Sequence, residues 1–152
     1  MTSSTENIKK LREQTSAGVL DIKEALDQAE GDVDAALKIL KEKGASIAAK
    51  KAARATSQGL IETYTHMGRV GAMVEVNCET DFVARNTEFK ELAHELVLQV
   101  ASLDSDKLED LLAMELIKEP SKTVQELITE KIAKLGENIR VRRFCRYVLG
   151  GE

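Results

Sequence analysis

Apolar residues in the first 44 positions recur at helical spacing in three short runs. Ile8 and Leu11 lie three apart, and Ser3, Ser4 or Thr5 can cap the helix they predict. "TSAG" interrupts that run, with Gly18 able to take backbone angles that other residues avoid. A second helix follows over "VLDIKEALDQAE", with Ile22, Ala25, Leu26 and Ala29 on one face and Gly31 closing it. Asp32 then caps a third helix whose stripe is Val33, Ala36, Leu37 and Leu40, and Gly44 is its expected C-terminal cap. Each helix is too short to persist alone, so the three must pack on one another. Residues 45–58 are small and basic, with Lys50, Lys51 and Arg54 among them, and read as a linker with some helix in it.

From Gly59 the period changes to two. "LIETYTH" and "RVGAMVEVNCE" flank Met67 and Gly68, which predicts a hairpin. In the second run Val70, Ala72, Val74, Val76 and Cys78 share one face and Met73, Glu75 and Asn77 the other, as in a half-buried strand. "TEFKELAHELVLQVAS" returns to helical spacing, with Phe89, Leu92, Ala93, Leu96, Val97 and Val100 in one stripe. Two more helices, "DKLEDLLAMEL" and "TVQELITEKIAKLG", are separated by Pro120. "NIRVRRFCRYVL" alternates again and predicts a third strand. Its Arg140, Arg142 and Arg146 are expected on one face, with Ile139, Val141, Cys145 and Tyr147 on the other. The order predicts an α+β protein: a three-helix unit over 1–44, a basic linker over 45–58, and a core over 59–152 of a three-stranded antiparallel sheet packed with helices.

Composition adds limits rather than identity. A chain of 152 residues, 43% hydrophobic and 32% charged, can bury a core without staples. Aromatics make up only 3%, so that core is aliphatic and a stacking platform for single-stranded nucleic acid is lacking. No apolar run approaches the roughly 18–20 residues of a membrane span. "MTSSTENIKK" has no signal-peptide character, and Cys78 and Cys145 make no disulfide framework. A reduced, cytoplasmic protein is expected. The net charge of −4 argues against bulk affinity for nucleic acid, but acid predominates over 82–130 and base over 131–148.

Phosphate-loop, dinucleotide, nucleophile-elbow and zinc-protease motifs are all missing. His66 and His94 stand alone, and Cys78 sits on an apolar strand face with no cation beside it to lower its pKa. Glu75 and Glu79 are four apart in an extended run, which places them on one side of the sheet, but no pocket accompanies them for acid–base work. Arg140, Arg142 and Arg146 could meet phosphate, although positive charge on an outer sheet face also discourages stray strand pairing. The chain does not read as an enzyme, and no metal or cofactor is expected.

One junction stands out: "NCETDFVARN", residues 77–86. Phe82 is seven residues before Phe89, so a single continuous helix would put both in the core stripe. Alternatively, "RNT" breaks the pattern and Asn86 or Thr87 caps a new helix, leaving residues 80–85 as a separate turn that presents Asp81 and Phe82 outward. Both readings stand on the sequence.

"VEVNCE" followed by "TDFVARN" resembles the core motif of the elongation factor Ts family, the nucleotide-exchange factors of bacterial elongation factor Tu. "LREQTSAGVLDIKEALDQAEGDVDAAL" is similar to that family's N-terminal helical unit, which is like a ubiquitin-associated (UBA) domain. "KKAARATSQGLIE" is similar to its connection to the core, and "GENIRVRRF" to its last strand. Ser16 departs from the usual Gly and Ile22 from a common Cys. Longer members duplicate the core and carry a helical insertion, so this chain looks like the short form, for which the resemblance implies a homodimer. It also implies that Asp81 and Phe82 intrude between helices of the partner's nucleotide domain. That intrusion disturbs the Mg²⁺ site and expels GDP, with Thr80 and Val83 shaping the wedge. Arg12, Val19 and Leu20 match the second contact with the same partner. A non-catalytic interaction module, or a ribosome- or RNA-binding protein, is the alternative.

Overall fold

The computed structural model describes residues 4–151; Ser3, one of the cap candidates, and the outermost ends of the two expected terminal units lie outside them. The first helices are α1 (Thr5–Thr15), α2 (Val19–Gln28) and α3 (Val33–Lys51). Ser4 caps α1, its Oγ accepting the Asn7 N–H at 3.2 Å. Asp32 caps α3 by accepting the N–H groups of Asp34 and Ala35 at 2.9 and 3.0 Å. Leu11, Ile22, Ala25, Leu26, Ala36 and Leu40 bury one another between these helices.

Two details of this layer differ from the sequence reading. The left-handed turn after α1 falls on Ser16, at φ 55, while Gly18 takes an ordinary extended φ of −66. The Ser16 N–H closes the helix on the Arg12 carbonyl at 2.8 Å, and this closure requires a left-handed residue at that position. Second, α3 does not stop at Gly44 but continues to Lys51. Gly costs a helix about 1 kcal/mol relative to Ala, but the alanine-rich segment beyond it is strongly helix-forming. Ala48 also packs against the larger core, and that tertiary contact holds the extension.

The sheet contains β1 (Gln58–His66), β2 (Val70–Cys78) and β3 (Arg140–Val148), in the order β1-β2-β3 with both pairings antiparallel. Met67 and Gly68 both have positive φ in the hairpin turn, and the Arg69 N–H bonds the His66 carbonyl at 2.9 Å, which suits the twist of the strands. A four-residue helix α4 (Asp81–Ala84) follows β2, and then come α5 (Thr87–Ser102), α6 (Leu108–Ala113) and α7 (Val124–Leu135). Ala72, Val74, Val76 and Cys78 of β2 face the stripe Phe89, Leu92, Ala93, Leu96, Val97 and Val100 of α5, all buried. Leu111, Val124, Leu127, Ile128 and Ile132 close the core from α6 and α7.

The stretch between α6 and α7 is irregular and is held by polar contacts. Buried Gln99 donates to the Glu115 carbonyl at 3.1 Å and accepts the Ile117 N–H at 2.8 Å. Buried Lys122 places its ammonium 3.0 Å from Glu130, whose carboxyl burial pushes above its ordinary pKa against the pull of that lysine. A reciprocal capping box between Thr123 and Glu126 then starts α7.

β3 corrects the expected alternation. Its register slips at a bulge, with Glu75 opposite Arg143 but Val76 opposite Val141, so Arg142 is the extra residue. A one-residue slip reverses every side chain beyond it. Phe144 therefore packs toward the core, and Arg146 turns inward to donate to the Ala101 carbonyl at 2.9 Å. Cys145 and Tyr147 are turned outward instead, with Cys145 opposite exposed Met73. Among the described residues no helix is long and apolar enough to cross a membrane.

Gly59→Ala will be severely destabilising. Gly59 has φ 144, and an added Cβ would lie 2.0 Å from the Val76 carbonyl oxygen. Chemical denaturation will read a loss of about 3 kcal/mol or more. Ser16→Gly will act in the opposite direction, raising unfolding stability by about 0.5–1 kcal/mol as it relieves the left-handed backbone.

Candidate functional site

The turn between β2 and α5 resolves the ambiguity at the junction. Asn86 caps α5, its side chain accepting the Glu88 N–H at 2.8 Å, so the long helix begins afresh at Thr87. Residues 81–84 form the separate turn α4, and the continuous-helix reading does not hold. Phe89 is fully buried whereas Phe82, seven residues earlier, is 81% exposed. Exposing most of a phenyl ring forgoes about 1.5–3 kcal/mol of burial, so this ring is not serving the fold.

The four residues of the motif have distinct surroundings. Thr80 is the N-cap of α4, its hydroxyl accepting the Val83 N–H at 3.4 Å. Asp81 opens the helix and forms an ion pair with Arg85 one turn on, leaving its carboxylate half-exposed. Val83 and Ala84 pack against the main core, so Val83 faces inward and anchors the turn. Phe82 alone projects.

Beneath this turn lies a polar network that the sequence reading missed. Glu137, between α7 and β3, accepts the backbone N–H groups of Glu79 and Thr80 on Oε1 at 3.1 and 2.9 Å. Its Oε2 accepts the Thr80 hydroxyl at 2.6 Å. In return, Glu79 accepts the Asn138 N–H at 2.7 Å and lies 3.6 Å from Arg54. Buried Asn138 donates onward to the carbonyls of Ala52 and Arg54, at 3.4 and 2.9 Å. Three segments far apart in sequence meet here, and only the fold brings them together. The one sequence signal was "GEN" immediately before the last strand.

The same network settles the candidate chemistry. Glu79 has left the strand while Glu75 sits on it, ion-paired to Arg143 at 2.9 Å, so the two carboxylates are not a pair. Burial, with the Glu137 carboxylate nearby, pushes the Cys78 thiol up to about 11, far from the range of a nucleophile. Among the described residues no group of three or more His, Cys, Asp or Glu is arranged to hold a metal ion.

The second group of candidates lies at the α1–α2 turn. Arg12 is exposed at the end of α1, and Val19 and Leu20 open α2 at 39% and 77% exposure. Their neighbours Ile22 and Leu26 turn into the helical core, so Val19 and Leu20 are not internal packing residues. Arg12 and Gly18 also line an open groove of about 780 Å³ between this turn, α3 and α7. Among the described residues no hydrogen bond or ion pair joins this group to the Phe82 turn. A rigid link exists through α3, which packs along α7 and places Lys41 3.7 Å from Glu126.

Comparison with known proteins bears on the whole chain. The family profile described as Elongation factor TS matches residues 79–151. The chain is 50% identical to an elongation factor Ts of Aquifex aeolicus over 97% of its own length, and spans 53% of that relative. It is 43% identical to an elongation factor Ts of Thermotoga neapolitana across the full length of both chains. With that of Herpetosiphon aurantiacus it is 43% identical over 99% of each. Those two alignments run over 196 positions against the 152 residues here, so both relatives carry additional residues within the matched span. At this identity and coverage, the chain belongs to the elongation factor Ts family.

Proposed function

We propose that this chain is a translation elongation factor that binds the elongation factor Tu–GDP complex and promotes release of GDP, so that GTP can replace it. Such a partner holds its nucleotide through backbone contacts to phosphate and through Mg²⁺ kept by a Ser/Thr and an Asp. Asp81 and Phe82 intrude between helices of the nucleotide domain and disturb that Mg²⁺ site. The observation that carries this reading is Phe82: a large apolar ring, 81% exposed, on a short helix whose base is held by Glu137 and by Val83. No step makes or breaks a covalent bond in this protein, which acts in the cytoplasm as a non-enzymatic factor without a cofactor.

Energetics call for two footings. Weakening a nanomolar nucleotide site to a micromolar one takes about 4 kcal/mol of coupling. By linkage, GDP weakens the hold of this protein on its partner by the same factor. Burying one Phe contributes only about 1.5–3 kcal/mol. Arg12, Val19 and Leu20 supply the remainder from the N-terminal helices, where exposed apolar side chains beside a cation suit a protein surface.

The reading of the last strand as an RNA contact loses support. Arg146 turns inward to the Ala101 carbonyl, and Arg142 and Arg143 lie 3.9 and 2.9 Å from Glu75, so of Arg140, Arg142 and Arg146 the first alone stays exposed without an ion pair among the described residues. A homodimer is supported by what the sheet leaves open. The face opposite α5 carries exposed Ile61, Met73 and Tyr147, beside Cys145 and the Glu75–Arg143 pair. A sheet with an uncovered apolar face calls for a second layer, and a second copy provides one.

Release of labelled GDP from elongation factor Tu tests the exchange reading. The chain accelerates release, and Phe82→Ala reduces the acceleration by about tenfold or more. The same variant keeps its unfolding midpoint, whereas Phe89→Ala loses about 3–5 kcal/mol of stability. Undiminished exchange by Phe82→Ala would refute the wedge. For the dimer, sedimentation will find two copies in the wild type and one in Met73→Asp; a monomeric wild type would rule it out.

A further inference from the structure

Glu137 is part-buried between α7 and β3, and it holds the base of the projecting turn. It lies 58 residues from Glu79 in sequence, and its carboxylate gathers three donors: two backbone N–H groups and the Thr80 hydroxyl. The Thr80 hydroxyl has one proton. Because that proton goes to Glu137 Oε2, the oxygen is left with its lone pairs toward the Val83 N–H, which is the contact that caps α4. A helix of four residues does not sustain itself, and Phe82 adds no packing to its own turn. The orientation of the tip therefore depends on its base, where Val83 and Ala84 pack on the core and the Cys78 thiol donates to the Thr80 carbonyl at 3.2 Å. Among the described residues, Glu137 alone accepts from the Thr80 N–H and hydroxyl.

We infer that Glu137 is a positioning residue for nucleotide exchange, holding α4 in its docking geometry so that Phe82 enters the partner already ordered. The inference rests on the wedge reading above and deepens it. Binding that must first order a segment is weakened by the entropy lost, and pre-ordering removes that loss. The carboxylate is specific for this task. An amide in its place keeps the shape but turns one acceptor into a donor, which faces either the two N–H groups or the Thr80 hydroxyl. Glu79 and Asn138 brace the opposite side of the same loop, so loss of Glu137 loosens the turn without dissolving it.

The test is a double-mutant cycle on stimulated GDP release, run with amide hydrogen exchange on the free full-length chain. Glu137→Ala is expected to lower stimulation on the order of tenfold, and Glu137→Gln to lower it less. Amides of Glu79, Thr80 and Val83 exchange faster in both variants, while those within β2 and α5 keep their protection. In a Phe82→Ala background, Glu137→Ala has no further effect, because the ring it positions is gone. Additive losses in the double variant would overturn the inference, as would protection lost across β2 and α5 or normal exchange activity in both Glu137 variants. Normal activity of Phe82→Ala alone would instead defeat the wedge reading, so the two failures are distinguishable.

Discussion

The burial of the inner row of β2 beneath α5 is the constraint on which the rest depends. Val74, Val76 and Cys78 are buried in one cluster with the α5 stripe from Phe89 to Val100, and α6 and α7 close that cluster. β2 ends at Cys78 and α5 begins at Thr87, so the chain must reverse within a few residues and re-enter at the correct rotation. Asn86 makes that possible by starting a new helix instead of continuing the old one. Residues 81–84 are left to form their own turn, and the ring at 82 faces away from the core. A projecting Phe82 is thus the geometric by-product of covering the sheet, and the proposed function makes use of it.

A tight reversal leaves backbone N–H groups without partners, and these must be satisfied. Glu137 takes those of residues 79 and 80, and Glu79 takes that of residue 138. The two carboxylates stitch the start of α4 to the start of β3, and Asn138 extends the stitch to the chain after α3. Burial, with these negative charges beside it, keeps the Cys78 thiol protonated, so the buried cysteine under the turn is a poor nucleophile. The continuation of α3 past Gly44 has a comparable consequence. A flexible linker would let the N-terminal helices swing, whereas a helix reaching Lys51 and packed on α7 carries Arg12, Val19 and Leu20 on the same frame as Phe82. Under the proposed function, that shared frame is what lets two footings act together on one partner.

Local patterns were sufficient for the element types, the antiparallel sheet and the stripe of α5, because burial on one face imposes period 3.6 or period 2 directly on the chain. They also exposed the oddity at residues 81 and 82, since Phe82 fits the helical period of the α5 stripe while "RNT" interrupts it. Where they misled, a tertiary contact overrode a local preference. Gly44 reads as a stop, but Ala48 on the core holds the helix through it. The last strand reads as a clean alternation, but the bulge at Arg142 turns Phe144 inward and Cys145 and Tyr147 outward.

By itself the amino-acid order determined most of the helices and strands and the apolar stripes of β2 and α5. Only the tertiary structure decided whether Phe82 faces in or out, because that depends on whether one helix or two spans residues 81–102. The sequence allows both, and the Asn86 cap in place makes it two. It alone also brought Glu137 under Thr80. Contacts between residues so distant along the chain leave no periodic trace, since they arise from the closure of the sheet and not from the local geometry of either segment.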